Sequence, residues 1–332
     1  MEIYDRLTTP VHILFAYVEK EYRTFESLLD CLDILPLSSS NRIDLVTAAS
    51  NSCTTFASHL KTARLSLTLA SDSSTDMILA FLYHDLSNPL MVISGRLELL
   101  EQEKVLINEI PASLAAIKAA RERIRTCFTF DKPQNFDLGA LVKKLNRFHD
   151  RESLHRQGIK ITYDCPQTTV YGIPSFVLRT LDNPIRNAIK ARPSQNGTYT
   201  VAVRSYPFKG RGIVEIEDKG IGIDPKVIYA AACAAGYRKV PSTLYDTLEL
   251  IFTNNVSGFK QIGKKGTGNG LNGAMIMKKG DDSSVTVSLQ TTVCWDGKYI
   301  TIDKEHLHGY HDPQRTSTGT TFYFSFPGRK VR

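Results

Sequence analysis

The chain has 332 residues, a formal net charge of +7 and 42% hydrophobic residues, which is the composition of an ordinary soluble globular protein with room for two domains. The basic residues are dispersed and no groove-reading motif accompanies them, so nucleic acid is not an expected partner; phosphate-bearing ligands or an acidic partner explain the charge as well. No stretch approaches the roughly 18 apolar residues of a membrane span, and no signal-peptide layout is present, so no direct membrane insertion is expected. The six cysteines are widely spaced, without a Cys-x-x-Cys pair, which predicts reduced thiols and a cytoplasmic protein.

The first 69 residues carry two helical patterns. In both, apolar residues recur at steps of three and four, the spacing that keeps one face of a helix against a core. The first set is Phe15, Val18, Tyr22, Phe25, Leu29 and Leu32, and the second is Val46, Ala49, Cys53, Phe56 and Leu60. Pro36 ends the first pattern, so we predict an α-hairpin or two stacked helices. Residues 1–73 form an N-terminal helical region, a candidate regulatory segment without a recognisable sensory fold.

A third helix is predicted to carry an unusual polar face. Its apolar stripe is Leu82, Leu86, Leu90, Ile93, Leu97 and Leu100. At about 100° per residue, His84 and Asn88 point away from that stripe, and Asp85 flanks them. Pro89 removes a backbone donor, so the helix is expected to bend there. An exposed histidine beside a carboxylate can exchange a proton and present a ring nitrogen to a large substrate; the alternative is a surface histidine on a kinked bundle helix.

A fourth helix is predicted after Pro111. Its apolar face is Leu114, Ile117, Ile124 and Phe128. Residues 74–130 then make an antiparallel helical hairpin. A lone hairpin cannot bury its apolar stripe, whereas two copies can form a four-helix bundle. The pattern therefore predicts a homodimer built on this hairpin.

The sequence changes character after a linker at residues 131–135. Short strand-like runs follow at residues 160–163, 199–204, 212–217, 284–289, 299–302 and 320–326, and helical stretches at 137–150, 175–191 and 268–279. This alternation predicts a mixed sheet covered by helices in a domain spanning residues 131–332. The whole chain is thus expected to be α+β, with a helical part followed by an α/β sandwich.

Three segments of this second part suggest a nucleotide site. The first, LDNPIRNAIKA, places Asn183, Asn187 and Lys190 on one helical face. Amide oxygens beside an ammonium group suit a hydrated Mg²⁺ held against phosphates, because Mg²⁺ prefers oxygen ligands and keeps several waters. The alternative for this segment alone is a polar helix face.

The other two segments are rich in glycine. VEIEDKGIGI ends a strand with Asp218, whose carboxylate can accept from an exocyclic amino group. GKKGTGNGLNG opens a helix, where free backbone amides suit a polyphosphate. The glycines that let a ligand approach are Gly220 and Gly222 in the first segment and Gly266, Gly268 and Gly270 in the second. Taken singly, a hairpin turn and a flexible turn are the alternatives.

In combination and in this order, the motifs resemble the kinase core of two-component sensor histidine kinases over roughly residues 74–327. HDLSNPL resembles the phosphoacceptor box, LDNPIRNAIKA the N box, EDKGIGI the G1 box, IFTNNVSGF the F box around Phe252, GTGNGL the G2 box and TGTTFYFSFP the closing strand. The resemblance implies a dimeric phosphoacceptor hairpin and an ATP domain of the Bergerat type, the fold of the gyrase, Hsp90 and MutL superfamily.

The resemblance also implies a role for each motif residue. His84 would be phosphorylated by ATP, with Asp85 polarising it, and the phosphoryl group would pass to an aspartate of a response-regulator receiver domain. The implied nucleotide residues are Asn183, Asn187 as the Mg²⁺ ligand, Lys190, Asp218 for the adenine amino group, Gly220, Gly222, Gly266, Gly268, Gly270 and Thr320. Asn88 matches the acidic-x-x-Asn/Thr pattern of histidine kinases that dephosphorylate their own regulators; the alternative is a short polar residue that suits the position before Pro89.

Some residues depart from the family pattern. Pro184 is expected to interrupt the N-box helix directly after Asn183, and residues 293–313 resemble an insertion before the last strand. Asn269 and Asn272 replace the small or apolar residues usual in the G2 box. The alternatives to an active kinase are a catalytically weak pseudokinase or phosphotransfer scaffold, and a clamp-driving ATPase of the same superfamily, which has no use for an exposed HDxxNP motif.

Overall fold

The computed structural model describes residues 22–31, 39–68, 73–101, 109–128, 133–193, 197–253, 256, 285–311, 313–314 and 316–329. Among these, residues 39–42, 62–68, 73–85, 109, 127–128 and 152 are described by their backbone alone. The chain divides into two compact units. One comprises residues 1–130 and 146–154, and the other comprises residues 131–145 and 155–332.

The first unit is a bundle of helices. Helix α1 is described over residues 22–31, and α2 (Ser39–Thr68), α3 (Ser73–Glu101) and α4 (Glu109–Phe128) follow. One apolar core joins all of them: Tyr22, Phe25 and Leu29 from α1; Val46, Ala49, Cys53, Phe56 and Leu60 from α2; Leu86, Leu90, Ile93, Leu97 and Leu100 from α3; Ile117, Ala120 and Ile124 from α4. The described residues of the predicted stripes therefore face a core, whereas Phe15, Val18, Leu32 and the side chains of Leu82 and Phe128 lie outside the described part of the chain.

The helices that cover the apolar stripe of α3 differ from the prediction. The apolar stripe of α3 was expected to lie against a second copy of the chain. Instead, α1 and α2 of the same chain cover it, and Leu97 and Ile93 are fully buried within one chain. The hairpin of α3 and α4 is thus not a lone hairpin, and its stripe no longer requires a homodimer.

Polar contacts join the N-terminal helices to the hairpin. Arg121 on α4 donates to the Asp30 carboxylate on α1 at 2.7 Å. The Thr47 hydroxyl on α2 donates to Glu101 on α3, also at 2.7 Å. The Arg121 side chain is only 8% exposed, and a buried charge without a partner is costly. The ion pair with Asp30 therefore favours the packing of α1 against α4.

The second unit is built on β-strands. They are β1 (Gln134–Asp137), β2 (Ile159–Asp164), β3 (Thr169–Gly172), β4 (Tyr199–Phe208), β5 (Arg211–Asp218), β6 (Thr286–Trp295), β7 (Lys298–Ile302), β8 (Tyr310–His311) and β9 (Gly319–Pro327). Seven of them form a sheet in the order β2-β4-β5-β9-β6-β7-β8, and β1 and β3 form a two-stranded sheet. The β2–β4 pair is parallel, and the other neighbours in the large sheet are antiparallel. The six predicted strands are confirmed, while β1, β3 and β8 were not predicted.

The helices after residue 131 begin at clear sequence signals. They are α5 (Leu138–Lys144), α6 (Arg151–Arg156), α7 (Pro174–Lys190), α8 (Pro225–Ala234) and α9 (Leu244–Glu249), with short 3₁₀ turns at Leu145–Phe148 and Leu250–Phe252. Residues 146–154, which include most of α6, belong to the first unit. The Asp137 carboxylate caps α5, and the Asp224 carboxylate caps α8 just before a proline at its first position. Thr243 and Asp246 form a reciprocal capping box at α9. The predicted helix at 268–279 lies outside the described residues.

One proline expectation needs correction, because helix α7 runs without interruption through Pro184. Helix α3 also continues through Pro89, and the bend expected there stays a prediction. A proline removes one backbone donor, but the surrounding packing can hold the helix together; both rings are buried here. Within the described residues, no helix combines the length and the apolar character needed to cross a membrane.

Candidate functional site

The C-terminal half of α7 positions the three residues of the predicted N box. Its apolar face, which includes Leu181 and Ile185, is fully buried and fixes the rotation of the helix. Asn187 is then half-buried and Lys190 exposed, whereas Asn183 is only 5% exposed. Asn187 and Lys190 are therefore the more exposed residues of the three, and Asn183 is as deeply buried as Asp218.

The carboxyl group of Asp218 lies at the end of β5, buried between the neighbouring strands. Its Oδ1 accepts the backbone N–H of Gly220 at 2.7 Å, and Thr320 on β9 is its direct partner in the strand register. Burial raises the pKa of Asp218 to about 7, against the opposing effect of hydrogen bonds from Gly220, Tyr199 and Thr320. A buried carboxyl group with a raised pKa is a candidate ligand-binding group, because it can form a strong hydrogen bond with a polar ligand.

Glycines keep the backbone close around Asp218. A Cβ on Gly220 would lie 2.6 Å from both Asp218 Oδ1 and the carbonyl oxygen of Ala191. Gly222 has a φ of +72°, and a Cβ there would lie 2.3 Å from the carbonyl oxygen of Thr292. Both positions therefore require glycine, the first for space and the second for space and conformation.

The loop after Asp218 is held by threonine hydroxyls that the sequence analysis missed. Thr291 on β6 accepts the Ile223 N–H at 2.8 Å and donates to the Gly319 carbonyl at 3.1 Å. Thr318 donates to the carbonyl of Gly220 at 2.5 Å. The loop is also tied to α7, because the N–H of Ile221 donates to the carbonyl of Ala191 at 3.0 Å. Pairing of β6 with β9 brings these hydroxyls together, and that register is not visible in single motifs.

Tyr199, at the start of β4, is a second site residue that the sequence analysis missed. Its hydroxyl donates to the carbonyl oxygen of Ala188 on α7 at 2.7 Å. Burial is the main cause of its raised pKa, with the charge of Asp218 next. Tyr199 thus ties the start of β4 to the helix of the predicted N box.

The structure therefore brings Asn187, Lys190, Asp218, Gly220 and Gly222 to one region of the second unit, through the backbone contacts between α7 and the loop after β5. Thr320 joins them from β9, where its hydroxyl lies 3.3 Å from that of Thr291. Phe252 of the predicted F box is buried, with its ring 6.5 Å from that of Phe322. Gly266, Gly268 and Gly270 of the predicted phosphate turn lie outside the described residues.

The predicted phosphoacceptor residues belong to the first unit. The backbone of His84 and Asp85 lies in α3, and their side chains are outside what the structure describes. Asn88, one helical turn after His84, is half-buried. Leu86 and Leu90 point into the core, so the helix rotation is fixed on both sides of Asn88.

The chemistry of the residues around Asp218 fits an adenine nucleotide. The buried carboxyl group can accept from an exocyclic amino group. The Asn187 amide oxygen suits a Mg²⁺ ion that keeps several waters, and the Lys190 ammonium suits phosphate oxygens. The space beside Gly220 is filled by Asp218 and Ala191, so this glycine lets the loop lie against the end of α7.

Comparison with known proteins shows sequence similarity. Residues 172–330 match the family described as histidine kinase-, DNA gyrase B- and HSP90-like ATPases. The chain is 26% identical over 156 residues to the sensor protein DegM of Bacillus sp. (strain B21-2), which is 46% of this chain and 41% of that protein. The chain thus spans about two fifths of the length of this relative.

Among solved structures, the chain is similar to the mycobacterial sensor histidine kinase MprB, at 19% identity and a TM-score of 0.39 over 60% of this chain and 100% of that one. It is similar to the Acinetobacter baumannii histidine kinase AdeS at 16% identity and a TM-score of 0.32, over 74% of this chain and 98% of that one. The family match and the DegM relative confirm the predicted resemblance to sensor histidine kinases, and residues 172–330 are similar to histidine kinase-, DNA gyrase B- and HSP90-like ATPases.

Proposed function

We propose that the protein is an ATP-dependent histidine kinase that phosphorylates itself on His84 and passes the phosphoryl group to an aspartate of a response regulator. The observation that carries this proposal is the buried carboxyl group of Asp218, held by Gly220 at the end of β5 within a domain that matches histidine kinase-like ATPases. Asp218 would bind the adenine amino group, and Lys190 would contact phosphate oxygens. Asn187 would hold the Mg²⁺ ion.

The reaction that follows needs few groups from the protein. A neutral ring nitrogen of His84 attacks the γ-phosphorus, the N–P bond forms as the bond to the β–γ bridging oxygen breaks, and ADP leaves. Asp85, the next residue on α3, would hold the proton of the other ring nitrogen, so that the attacking nitrogen keeps its lone pair. The rest of the acceleration comes from positioning and from charge placed at the phosphates.

Labelled Mg·ATP tests this proposal. We expect acid-labile, alkali-stable label on the wild-type protein, and no label on Asp218→Asn or Asn187→Asp, because the first removes the carboxylate and the second changes the metal ligand. Folding of both variants is checked by circular dichroism. If both variants retain wild-type nucleotide affinity in titration calorimetry, the site assignment is wrong.

A catalytically weak phosphotransfer scaffold is the second candidate, favoured by one observation. Asn269 and Asn272 replace the small or apolar residues usual in the G2 box. A phosphate turn altered in this way would weaken ATP binding without changing the fold. Nucleotide binding without any label on the protein would support this candidate over an active kinase.

Asn88 gives the proposed kinase a second activity. Its half-buried amide lies one turn after His84 on α3, so it is placed near whatever docks on the phosphoacceptor. An amide is too weak a base to deprotonate water, but it can orient a water molecule toward an acyl phosphate on the regulator. We expect Asn88→Ala to keep autophosphorylation and to slow the loss of phosphate from the regulator. Equal rates of regulator dephosphorylation by the variant and the wild type would contradict this role.

A further inference from the structure

A row of polar side chains crosses three neighbouring strands of the large sheet. In the strand register, Asp218 on β5 is opposite Thr320 on β9, and Thr320 is opposite Thr291 on β6. All three side chains are buried, and the hydroxyl oxygens of Thr291 and Thr320 are 3.3 Å apart. Directly opposed residues of neighbouring strands present their side chains to the same face of a sheet. The row therefore holds the proposed adenine acceptor at one end and Thr291 at the other.

The hydroxyl of Thr291 uses all of its hydrogen-bonding capacity. A threonine hydroxyl has one proton to donate and lone pairs with which to accept. Thr291 donates its proton to the carbonyl oxygen of Gly319 at 3.1 Å and accepts the N–H of Ile223 at 2.8 Å. The Thr320 hydroxyl then donates to Thr291, because the proton of Thr291 is already engaged. Thr291 thus joins the loop at residues 219–223 to the start of β9.

The second half of this loop lies against β6. A Cβ on Gly222 would lie 2.3 Å from the carbonyl oxygen of Thr292, so the two backbones are in close contact there. Ile223 follows, and Thr291 accepts its N–H. Asp224 is next and caps α8. The Thr291 hydroxyl therefore holds the loop at the point where it leads into α8.

Strand β7 keeps Thr291 in position. Thr291 is opposite Thr320 on β9 and opposite Ile302 on β7, so β6 is paired on both sides at this residue. Strand β7 belongs to residues 293–313, which stand out in the sequence as an insertion before the last strand. Without β7, this part of β6 would be an edge of the sheet. The insertion thus supports the strand that holds the loop.

We propose that Thr291 is a positioning residue for nucleotide binding, which holds the loop at residues 219–223 in the conformation that accepts an adenine base beside Asp218. This inference rests on the proposed function. Without the Thr291 hydroxyl, the N–H of Ile223 would lose its acceptor, so the loop would move to bond this N–H to water. Nucleotide binding would then have to restore the loop, and the affinity would fall with the fraction of molecules that hold it in place.

Two neighbouring threonines give a matched pair of variants. Thr291→Val removes the hydroxyl that holds the loop. Thr292→Val is the control, because Thr292 is also buried on β6 and its hydroxyl is 2.9 Å from that of Thr301 on β7, so this variant breaks a buried hydroxyl pair too. The side chain of Thr292 points to the opposite side of the strand from that of Thr291. Thr291→Ser keeps the hydroxyl and is expected to restore binding.

The test is the affinity of the 332-residue chain for ADP, measured by titration calorimetry, with urea unfolding as the measure of stability. In Thr291→Val, we expect the Kd to rise about tenfold, which is about 1.4 kcal/mol. Thr291→Ser and Thr292→Val should keep the wild-type Kd. The two valine variants should lose similar stability, so a weaker fold does not explain the difference in affinity between them. Equal Kd values in the two valine variants would overturn the inference.

A second measurement needs no ligand. Hydrogen exchange at the Ile223 amide should be faster in Thr291→Val than in the wild type, Thr291→Ser or Thr292→Val, because this amide has lost its acceptor. The same exchange rate in all four proteins would overturn the role of Thr291 in holding the loop. Absence of ADP binding by the wild type would instead overturn the proposed function, while exchange at Ile223 still decides whether Thr291 holds the loop.

Discussion

Asp218 combines two properties that oppose each other. Burial at the end of β5 disfavours its charge, which is why its pKa is raised to about 7, yet three hydrogen-bond donors surround it. Ligand-binding carboxylates are often kept in such positions, at a cost in stability to the free protein. The stability of the fold should therefore report the ionisation of this single group.

We expect Asp218→Asn to stabilise the ligand-free protein at pH 8. In the wild type, the folded state holds the proton between pH 4 and about 7 while the unfolded state has released it, so stability is lost as pH rises through this interval. The amide cannot ionise, so the variant avoids a loss of roughly 4 kcal/mol at pH 8, from a pKa of about 7 in place of 3.8 at about 1.4 kcal/mol per pH unit, and almost none near pH 4. Urea unfolding at both pH values measures this. A variant that is less stable than the wild type at pH 8 would contradict the account of Asp218.

At the scale of helices and strands, periodicity predicted which faces are buried. The residues Phe25, Phe56 and Leu97 were each placed on an apolar stripe, and each is buried. The helix that packs on each stripe was not predictable. An apolar stripe shows that one face of a helix is buried, but it does not show which other helix buries it. Asp296 and Gly297, both with positive φ, form the turn between β6 and β7, a hairpin signal that the sequence analysis did not use.

The same limit applies to the site. Asn187, Lys190 and Asp218 could be proposed because each stands in a local motif with a chemical purpose. Tyr199 and Thr291 could not, because their roles arise from the registers of β4 with β5 and of β6 with β9. Register depends on pairing across the sheet, which a local pattern does not contain.

Two leucines of α3 test the bundle core directly. Leu97 is 0% exposed in the core shared by all four helices, whereas Leu99, two residues along, is 38% exposed. We expect Leu97→Ala to lower the stability of the bundle by about 2–5 kcal/mol through lost burial and the cavity it leaves. Leu99→Ala should change it by less than about 1 kcal/mol. Urea unfolding followed by the helical circular dichroism signal measures both; equal losses would mean that Leu97 does not lie in this core.

At the scale of the whole molecule, α3 has two apolar faces. Within the described residues, α1, α2 and α4 of the same chain cover the first face, and Asp30 and Thr47 add polar contacts to α4 and α3. The second face leaves Met91, Val92 and Leu99 exposed by 68%, 40% and 38%. The N-terminal helices thus cover the stripe on which the homodimer was predicted, and a different face of α3 is open to a second copy.

We expect this exposed face of α3 to join two copies of the 332-residue chain, as the homodimer prediction requires. Analytical ultracentrifugation should give a mass near twice 37.1 kDa. Met91→Glu should give a mass near 37.1 kDa, because a carboxylate buried at the contact without a partner is costly. A mass near 37.1 kDa for the unchanged chain would contradict the homodimer.

The central claim is that the phosphoryl group of ATP reaches His84, and mapping the modified residue tests it most directly. The wild-type protein is incubated with Mg·ATP and digested at alkaline pH, and the peptides are sequenced by mass spectrometry, with His84→Gln as control. The account predicts one phosphohistidine, at His84, and none in the control, which should still bind ADP with wild-type affinity. Phosphate on any other residue, or an unmodified His84 in a protein that has bound ATP, would contradict it.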